Sequence, residues 1–202
     1  MARGANKAQI LEAGLSLFYS KGYNATGIQD IANAAEVPKG SFYNYFKSKE
    51  DFAAEVINHY TRQTIQFLEE RLKKGKRNHL ARMKLVLEYW AENMFSEYKG
   101  LGCLVGNLTQ EMGNQSDKIK QAAKEGFSHL ESCFIVCLQA AQESGEIGPD
   151  NDVKKLGTFV YNGWQGALVR SKSEGNSKQL IAYVEYTFDV VFPCILTQEN
   201  NA

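Results

Sequence analysis

The segment of residues 26–49 constrains the fold of this chain most, because it contains two short helical patterns separated by a tight turn. Thr26 precedes Gln29 by three positions, which is the spacing of a capping box and predicts a helix start. Small and branched apolar residues then recur at helical spacing on one face. Pro38 ends this pattern, but proline also fits the first turn of a helix. We therefore predict a helix, a turn and a second short helix over about residues 38–45.

The second of these helices is rich in groups suited to binding DNA. Phe42 and Phe46 lie four residues apart and are expected to hold the helix against its neighbours. The candidate DNA-contacting residues are Lys39, Gly40, Ser41, Tyr43, Asn44 and Tyr45, with Thr26 and Lys49 at helix starts as phosphate anchors. Asn44 has the amide that pairs with adenine. A helical hairpin with solvated lysines is the alternative interpretation.

Residues 5–60 resemble the N-terminal DNA-binding domain of TetR-family transcriptional regulators. The matching stretches are Ile10–Phe18 with Lys21-Gly22-Tyr23, then Thr26–Ala32, and above all Val37-Pro-Lys-Gly-Ser-Phe-Tyr-Asn-Tyr-Phe46 with Lys47-Ser-Lys-Glu50. The resemblance implies a three-helix DNA-binding domain and a homodimer that reads two half-sites of double-stranded operator DNA.

Charge is distributed unevenly in a chain whose 23 basic and 23 acidic residues cancel. Residues 1–49 contain six basic and three acidic residues, and the rest of the chain has the opposite excess. The sign of this asymmetry suits a DNA-binding N-terminus, since phosphate neutralisation supplies much of the affinity for DNA. A near-neutral body argues against a protein that binds DNA by charge alone.

Helical patterns also dominate the remainder, and the predicted fold class is all-α with about nine helices. The first helix is expected to begin at about Asn6, the fifth to end at about Tyr98, and the ninth to run from Lys178 to Leu196. We predict a DNA-binding domain over residues 1–48 and a helical sensor and dimerisation domain over 49–202, linked by helix four at about 48–74. No apolar run is long enough to cross a membrane. The four scattered cysteines indicate reduced thiols and a cytoplasmic protein.

Cys103 is the candidate sensor in the body of the chain. It follows two glycines and opens a predicted helix, where backbone N–H groups and the helix dipole stabilise a thiolate. A buried apolar role is the alternative. The segment is similar to the branch of TetR regulators related to the N-ethylmaleimide repressor, in which a cysteine in a Gly-Cys-Leu run senses electrophiles or oxidants. That resemblance implies that Lys172, late in helix eight, approaches the cysteine.

Other candidate sites each have a purely structural alternative. Aromatic and sulfur-containing residues either line a small-molecule pocket or fill a closed core; they are Trp90, Met94, Phe127 and Trp164. His129, Cys133 and Cys137 follow one helical stripe with zinc-ligand chemistry, but a single straight helix does not readily surround a metal. We expect neither metal nor cofactor. Candidate dimer contacts on the last two helices are Phe159, Tyr183, Thr187 and Phe188.

The sequence thus predicts a homodimeric transcriptional regulator, a repressor released from its operator by a small molecule or by cysteine modification. A regulator that binds a ligand without thiol chemistry remains the alternative. A helical enzyme is a weaker hypothesis, because the sequence contains no nucleophile elbow, phosphate loop or zinc-protease motif. A helical adaptor would be distinguished by binding that depends less on salt than DNA binding does.

Overall fold

The computed structural model describes residues 7–97 and 99–197, and the regular elements of this part of the chain are all helical. They are α1 (Lys7–Lys21), α2 (Ile28–Ala34), α3 (Lys39–Tyr43), α4 (Lys49–Leu72), α5 (His79–Asn93), α6 (Leu104–Met112), α7 (Asp117–Glu143), α8 (Val153–Glu174), α9 (Lys178–Tyr186), a π-helical turn (Thr187–Val191) and α10 (Phe192–Thr197). The all-α prediction is confirmed. No described helix has the length and apolarity needed to cross a membrane.

The chain divides into two compact units, the first of which takes in the chain up to Gln63 together with Cys103–Ser128. The buried rings of Phe18 and Phe42 both contact Phe52, with ring centroids 5.7 Å and 5.1 Å from it. Gly14 makes this packing possible, because a Cβ on it would lie 2.1 Å from Cζ of Phe52. An aromatic core therefore holds α1, α3 and the start of α4 together.

The second unit comprises Thr64–Gly102 and the chain from His129 onward. Helix α9 packs against both α8 and α5. Gly163 permits a close approach of α8 and α9, since a Cβ there would lie 2.5 Å from the ring of Tyr183. The Tyr183 hydroxyl donates to the backbone carbonyl of Val160 at 2.5 Å, and burial raises the pKa of Tyr183 to about 12.

The predicted helix boundaries agree broadly, with local differences that have physical causes. The predicted capping box of Thr26 and Gln29 is wrong: Gly27 precedes α2, and the Asp30 carboxylate accepts from the Gly27 N–H at 2.8 Å. The ninth predicted helix widens into a π-helical turn at Thr187 before α10. Pro193 follows this turn and has no N–H to donate to the carbonyl four residues before it. The regular series of α-helical backbone hydrogen bonds is therefore interrupted at this point of the chain.

Two predicted helix ends, at Asn6 and Tyr98, lie outside the described residues. Helix α5 ends at Asn93, earlier than predicted, because residues 94–97 form a turn. The Gly100 N–H then donates to the Met94 carbonyl at 2.7 Å. The compact units differ from the predicted functional domains, because the first unit also includes 49–63 and 103–128. The functional boundary at residue 48 stays a prediction.

Candidate nucleic-acid interface and sensor residues

Helices α2 and α3 are short and are separated by a tight turn, as the sequence pattern predicted. Ile31, Ala32 and Ala35 are buried, so α2 presents its apolar face to the interior of the first unit. Glu36 has a φ of 54°, in the left-handed region, and reverses the chain direction after α2. Pro38 then stands at the N-cap of α3 in an extended conformation.

Phenylalanine rings anchor the buried side of α3. Phe42 and Phe46 are buried, and their ring centroids lie 5.2 Å apart. Phe46 also meets Phe52 edge-on, with centroids 4.8 Å apart. Burying an aromatic side chain contributes about 1.5–3 kcal/mol, so this short helix owes its stability to tertiary packing more than to helix propensity.

The opposite side of α3 is exposed and polar. Lys39 and Gly40 are exposed, and Ser41 is half-buried. Tyr43 and Tyr45 retain 53% and 43% of their accessible surface. Helix α3 is shorter than predicted: Asn44 is its C-cap, and Tyr45 lies in the following turn.

Gly40 faces open space within this exposed surface. A Cβ built on it would meet no atom within 4 Å. The glycine is therefore not required by packing inside the chain. Its absent side chain leaves the backbone of α3 accessible to a partner.

Thr26 does not lie on this surface, which corrects its expected role as a phosphate anchor. The residue is fully buried, and its hydroxyl donates to the Gly22 carbonyl at 2.7 Å. Its backbone N–H donates to the Tyr23 carbonyl at 3.2 Å. Thr26 thus stabilises the turn between α1 and α2, and both of its donors are already engaged.

Lys49 stands in the first turn of α4, as predicted, but contacts its own chain. Its Nζ lies 4.1 Å from the ring centroid of Tyr23. Burial lowers the pKa of Lys49, although Glu111 and Asp30 oppose the shift. A phosphate contact by Lys49 would have to compete with these partners and stays a prediction.

Sequence reasoning missed Glu111, which fixes the turn between α1 and α2. Its two carboxylate oxygens accept from the backbone N–H groups of Tyr23 and Asn24, both at 2.7 Å. Gly22 leaves room for this contact, because it has a φ of +79° and a Cβ on it would lie 2.9 Å from Oε2 of Glu111. Glu111 belongs to α6, so α6 is directly bonded to the turn that leads into α2.

Cys103 stands at the opposite end of α6. It is the N-cap residue, as its position after the two glycines predicted, and the Asn107 N–H donates to its carbonyl at 2.9 Å. The residue is only 8% exposed. Lys172 is exposed in the last turn of α8, in the second unit, and its expected approach to Cys103 stays a prediction.

Both parts of the chain match family models of bacterial regulators. Residues 10–56 match the model of bacterial regulatory proteins of the tetR family, and residues 79–186 match that of the tetracyclin repressor-like C-terminal domain. This chain belongs to the TetR family. The family inferred from the sequence is thereby confirmed, and the chain is a transcriptional regulator with an N-terminal helix-turn-helix.

Named relatives extend the match over the whole chain. The transcriptional repressor DhaR of Mycobacterium sp. (strain GP1) is 32% identical over 100% of both chains. The transcriptional regulator AcuR of Cereibacter sphaeroides is 36% identical over 85% of this chain and 81% of its own. The crystal structure of reduced Escherichia coli NemR matches with a TM-score of 0.83 at 25% identity, covering 91% of this chain and 95% of that one.

TetR-family regulators bind operator DNA and are typically dimers, and apolar side chains are exposed on the last helices of this one. Phe159 on α8 is 50% exposed, and Tyr186 at the end of α9 is 64% exposed. Among the predicted dimer contacts, Tyr183 and Phe188 are half-buried. Thr187 is buried within its own chain, which removes it from the side chains available to a partner.

The predicted pocket residues belong to both compact units of this TetR-family chain. Trp90 stacks on Phe67 with centroids 5.5 Å apart and contacts Trp164 at 5.9 Å. Met94 and Trp164 are buried in the second unit, whereas Phe127 belongs to the first. The two tryptophans therefore take part in an aromatic core, and their role in ligand binding stays a prediction.

The stripe of His129, Cys133 and Cys137 borders a pocket instead. In the part of the chain that the structure describes, no three His, Cys, Asp or Glu side chains are arranged to hold a metal ion. Burial raises the pKa of Cys133 to about 11 and that of Cys137 to about 12. Both thiols are thus protonated at neutral pH.

Proposed function

We propose that this TetR-family regulator is a homodimeric repressor that reads its operator with α3 and the turn after it. The observation that carries the proposal is the two-sided character of α3. Its buried side is fixed by Phe42 and Phe46, and its exposed side presents Lys39, Tyr43 and Asn44. A helix fixed on one face and polar on the other is what insertion into the major groove requires.

The exposed apolar side chains of α8 and α9 support dimerisation through these two helices. Val169 on α8 and Ile181 on α9 are exposed as well as Phe159 and Tyr186. Pairing of two copies through α8 and α9 would remove these side chains from water, which favours association. A two-fold dimer would then present its α3 helices to half-sites about 34–36 Å apart or a multiple of that spacing.

We further propose that Cys103 is an electrophile sensor acting through α6. Its thiol would add across an electron-poor double bond, with sulfur bonding to one carbon and the thiol proton ending on the other. A buried N-cap residue has no room for the added group, so the start of α6 would have to move. Glu111 near the other end of this nine-residue helix would carry the movement to the turn at Tyr23 and Asn24.

Known relatives also support a regulator and not an enzyme, since the named ones are transcriptional repressors or regulators. A cytoplasmic location would follow from this role. Operator release by a non-covalent ligand is the second candidate mechanism, and the pocket bordered by Cys133 and Cys137 favours it.

DNA binding is tested by fluorescence anisotropy with DNA from immediately upstream of this protein's own coding region. We expect tight, salt-sensitive binding by the wild type and a loss of about tenfold or more in K39A and Y43A. K154A replaces an exposed lysine of α8 and serves as the control, with unchanged affinity. Equal affinities for K39A, Y43A and K154A would contradict the assignment of α3 as the reading element.

The sensor is tested by treating the protein–DNA complex with stoichiometric N-ethylmaleimide. We expect the complexes of the wild type and of C194S to dissociate and that of C103S to persist. Cys194 is the matched control, because its side chain is exposed. Release of C103S from DNA by the same treatment would exclude Cys103 as the sensing thiol.

A further inference from the structure

A pocket of about 290 Å³ lies within the second unit, between α4, α5 and α7. Its apolar walls are formed by Ile65, Leu72, Val136 and Ala140. Charge and hydrogen-bonding groups come from Glu69 on α4, from Lys73 directly after it, and from His79 and Arg82 on α5. An apolar cavity with a few convergent polar groups is the usual form of a small-molecule site.

The charges around this pocket do not cancel. Lys73 pairs with Glu69 at 2.6 Å, and Nδ1 of His79 lies 2.7 Å from Oε1 of Glu146. Arg82 has no carboxylate within 4.0 Å among the described residues. The pocket therefore contains one guanidinium whose positive charge is not balanced by an ion pair.

The hydrogen bonding of Arg82 is also incomplete. Its Nη1 donates to the Gly75 carbonyl at 3.3 Å, whereas its Nε is buried and has no hydrogen-bond partner. A buried donor of a charged group without a partner is unfavourable and favours occupation of the site by an acceptor. The guanidinium is planar and pairs with a carboxylate through two parallel N–H groups.

The surroundings of Arg82 further favour an anion. Arg82 also borders a shallow surface groove whose other charged residues are Glu70, Arg71, Lys74, Lys76 and Arg77. The thiols of Cys133 and Cys137 add no negative charge at neutral pH, because burial raises their pKa values to about 11 and about 12. Their side chains form a polarisable, weakly polar part of the pocket wall.

The carboxylate of Glu69 limits how much negative charge the pocket accepts. It lines the cavity together with its partner Lys73. A ligand group with two negative charges would be repelled by Glu69 more strongly than one with a single charge. A monocarboxylate thus fits the charge arrangement better than a phosphate monoester.

We propose that this pocket binds a small molecule with a mainly apolar body and one carboxylate, and that the carboxylate pairs with Arg82. The inference rests on the proposed function, since such a molecule would be a non-covalent effector of the regulator. It assigns ligand recognition to residues of α4, α5 and α7 in the second unit, whereas Cys103 belongs to the first, so covalent and non-covalent signals would act on different residues.

The proposal is tested by isothermal titration calorimetry of the full chain with octanoate and with 1-octanol, a neutral analogue of the same chain length. We expect octanoate to bind the wild type at least about tenfold more tightly than 1-octanol. R82M should lower the affinity for octanoate by about tenfold and change the affinity for 1-octanol by less than about twofold. R62M, which replaces an exposed arginine outside the pocket, should behave as the wild type.

A second variant keeps the test decisive if R82M does not fold. A140L places a larger side chain on the side of the pocket that α7 forms. Because this side chain fills part of the cavity, the affinity for both ligands should fall by about fivefold or more. Equal affinity of the wild type for octanoate and 1-octanol, no measurable octanoate binding, or an unchanged octanoate affinity in R82M or A140L would overturn the proposal.

Operator binding by the same protein samples separates this inference from the proposed function. Intact operator binding without selectivity for octanoate would overturn the pocket inference alone. Loss of operator binding in the wild type would overturn the proposed function, whatever the calorimetry shows.

Discussion

The carboxylate of Glu111 is the clearest point at which to perturb the DNA-binding unit, because it bonds two consecutive backbone N–H groups. A hydrogen bond to a charged group contributes about 1.5–3 kcal/mol. Glu111 is half-exposed, so water replaces part of each bond when it is lost. We expect E111A to lower the free energy of unfolding by about 2 kcal/mol in total. E111Q should lower it by about 1 kcal/mol, since the amide keeps one acceptor oxygen.

The measurement is thermal unfolding at one protein concentration, because dimerisation makes the melting temperature depend on concentration. For a chain of this length, about 1 kcal/mol corresponds to about 2–4 °C. E111A should therefore melt about 4–8 °C and E111Q about 2–4 °C below the wild type. E92A replaces an exposed glutamate of α5 and should shift the melting temperature by less than about 1 °C.

Operator affinity gives the functional readout of the same contact. The turn held by Glu111 leads into α2, so E111A should weaken operator binding by about fivefold at a temperature where the variant is fully folded. G22A reaches the contact from the other side, because its Cβ would lie 2.9 Å from Oε2 of Glu111 and its φ is +79°. Melting and operator binding equal to the wild type in both E111A and G22A would refute the assigned role.

Three further changes follow from the packing and charge of single residues. G14A should lower the free energy of unfolding by about 1–3 kcal/mol in urea titrations, because its Cβ would overlap the Phe52 ring; an unchanged midpoint would contradict this. G40A should leave the melting temperature unchanged or slightly raised, and should weaken operator binding measured by anisotropy; full operator affinity would show that the backbone there does not approach DNA. Burial raises the pKa of Glu146, but hydrogen bonds from the Leu80 and His79 N–H groups outweigh it and leave the pKa below its usual value. That stabilisation is present at neutral pH and is lost as pH falls through the lowered pKa, so the melting-temperature difference between the wild type and E146Q should be largest near pH 7 and shrink below about pH 4. A difference independent of pH would exclude this linkage.

Much of the backbone could be predicted because its signals are local. The break at Pro38 follows from the missing N–H of proline, and the end of α1 before Gly22 follows from the ease with which glycine adopts a positive φ. The helical repeat that buries Ile31 and the Phe42–Phe46 spacing that anchors α3 are also readable within a few residues. Such patterns state which face of a helix is apolar, but not which residue it will meet.

Only the tertiary structure decided which residues far apart in sequence contact one another. Glu111 bonds the backbone of Tyr23, 88 positions away, and Thr26 turns inward to Gly22 where sequence reasoning placed it at the surface. Arg82 likewise becomes a candidate only when Lys73 and His79, which line the same pocket, are seen to pair with Glu69 and Glu146, while no described carboxylate pairs with Arg82. Periodicity and turn chemistry encode local conformation within each helix. The choice among many chemically equivalent carboxylates and hydroxyls depends on how the helices pack, because that packing alone fixes the distances between them.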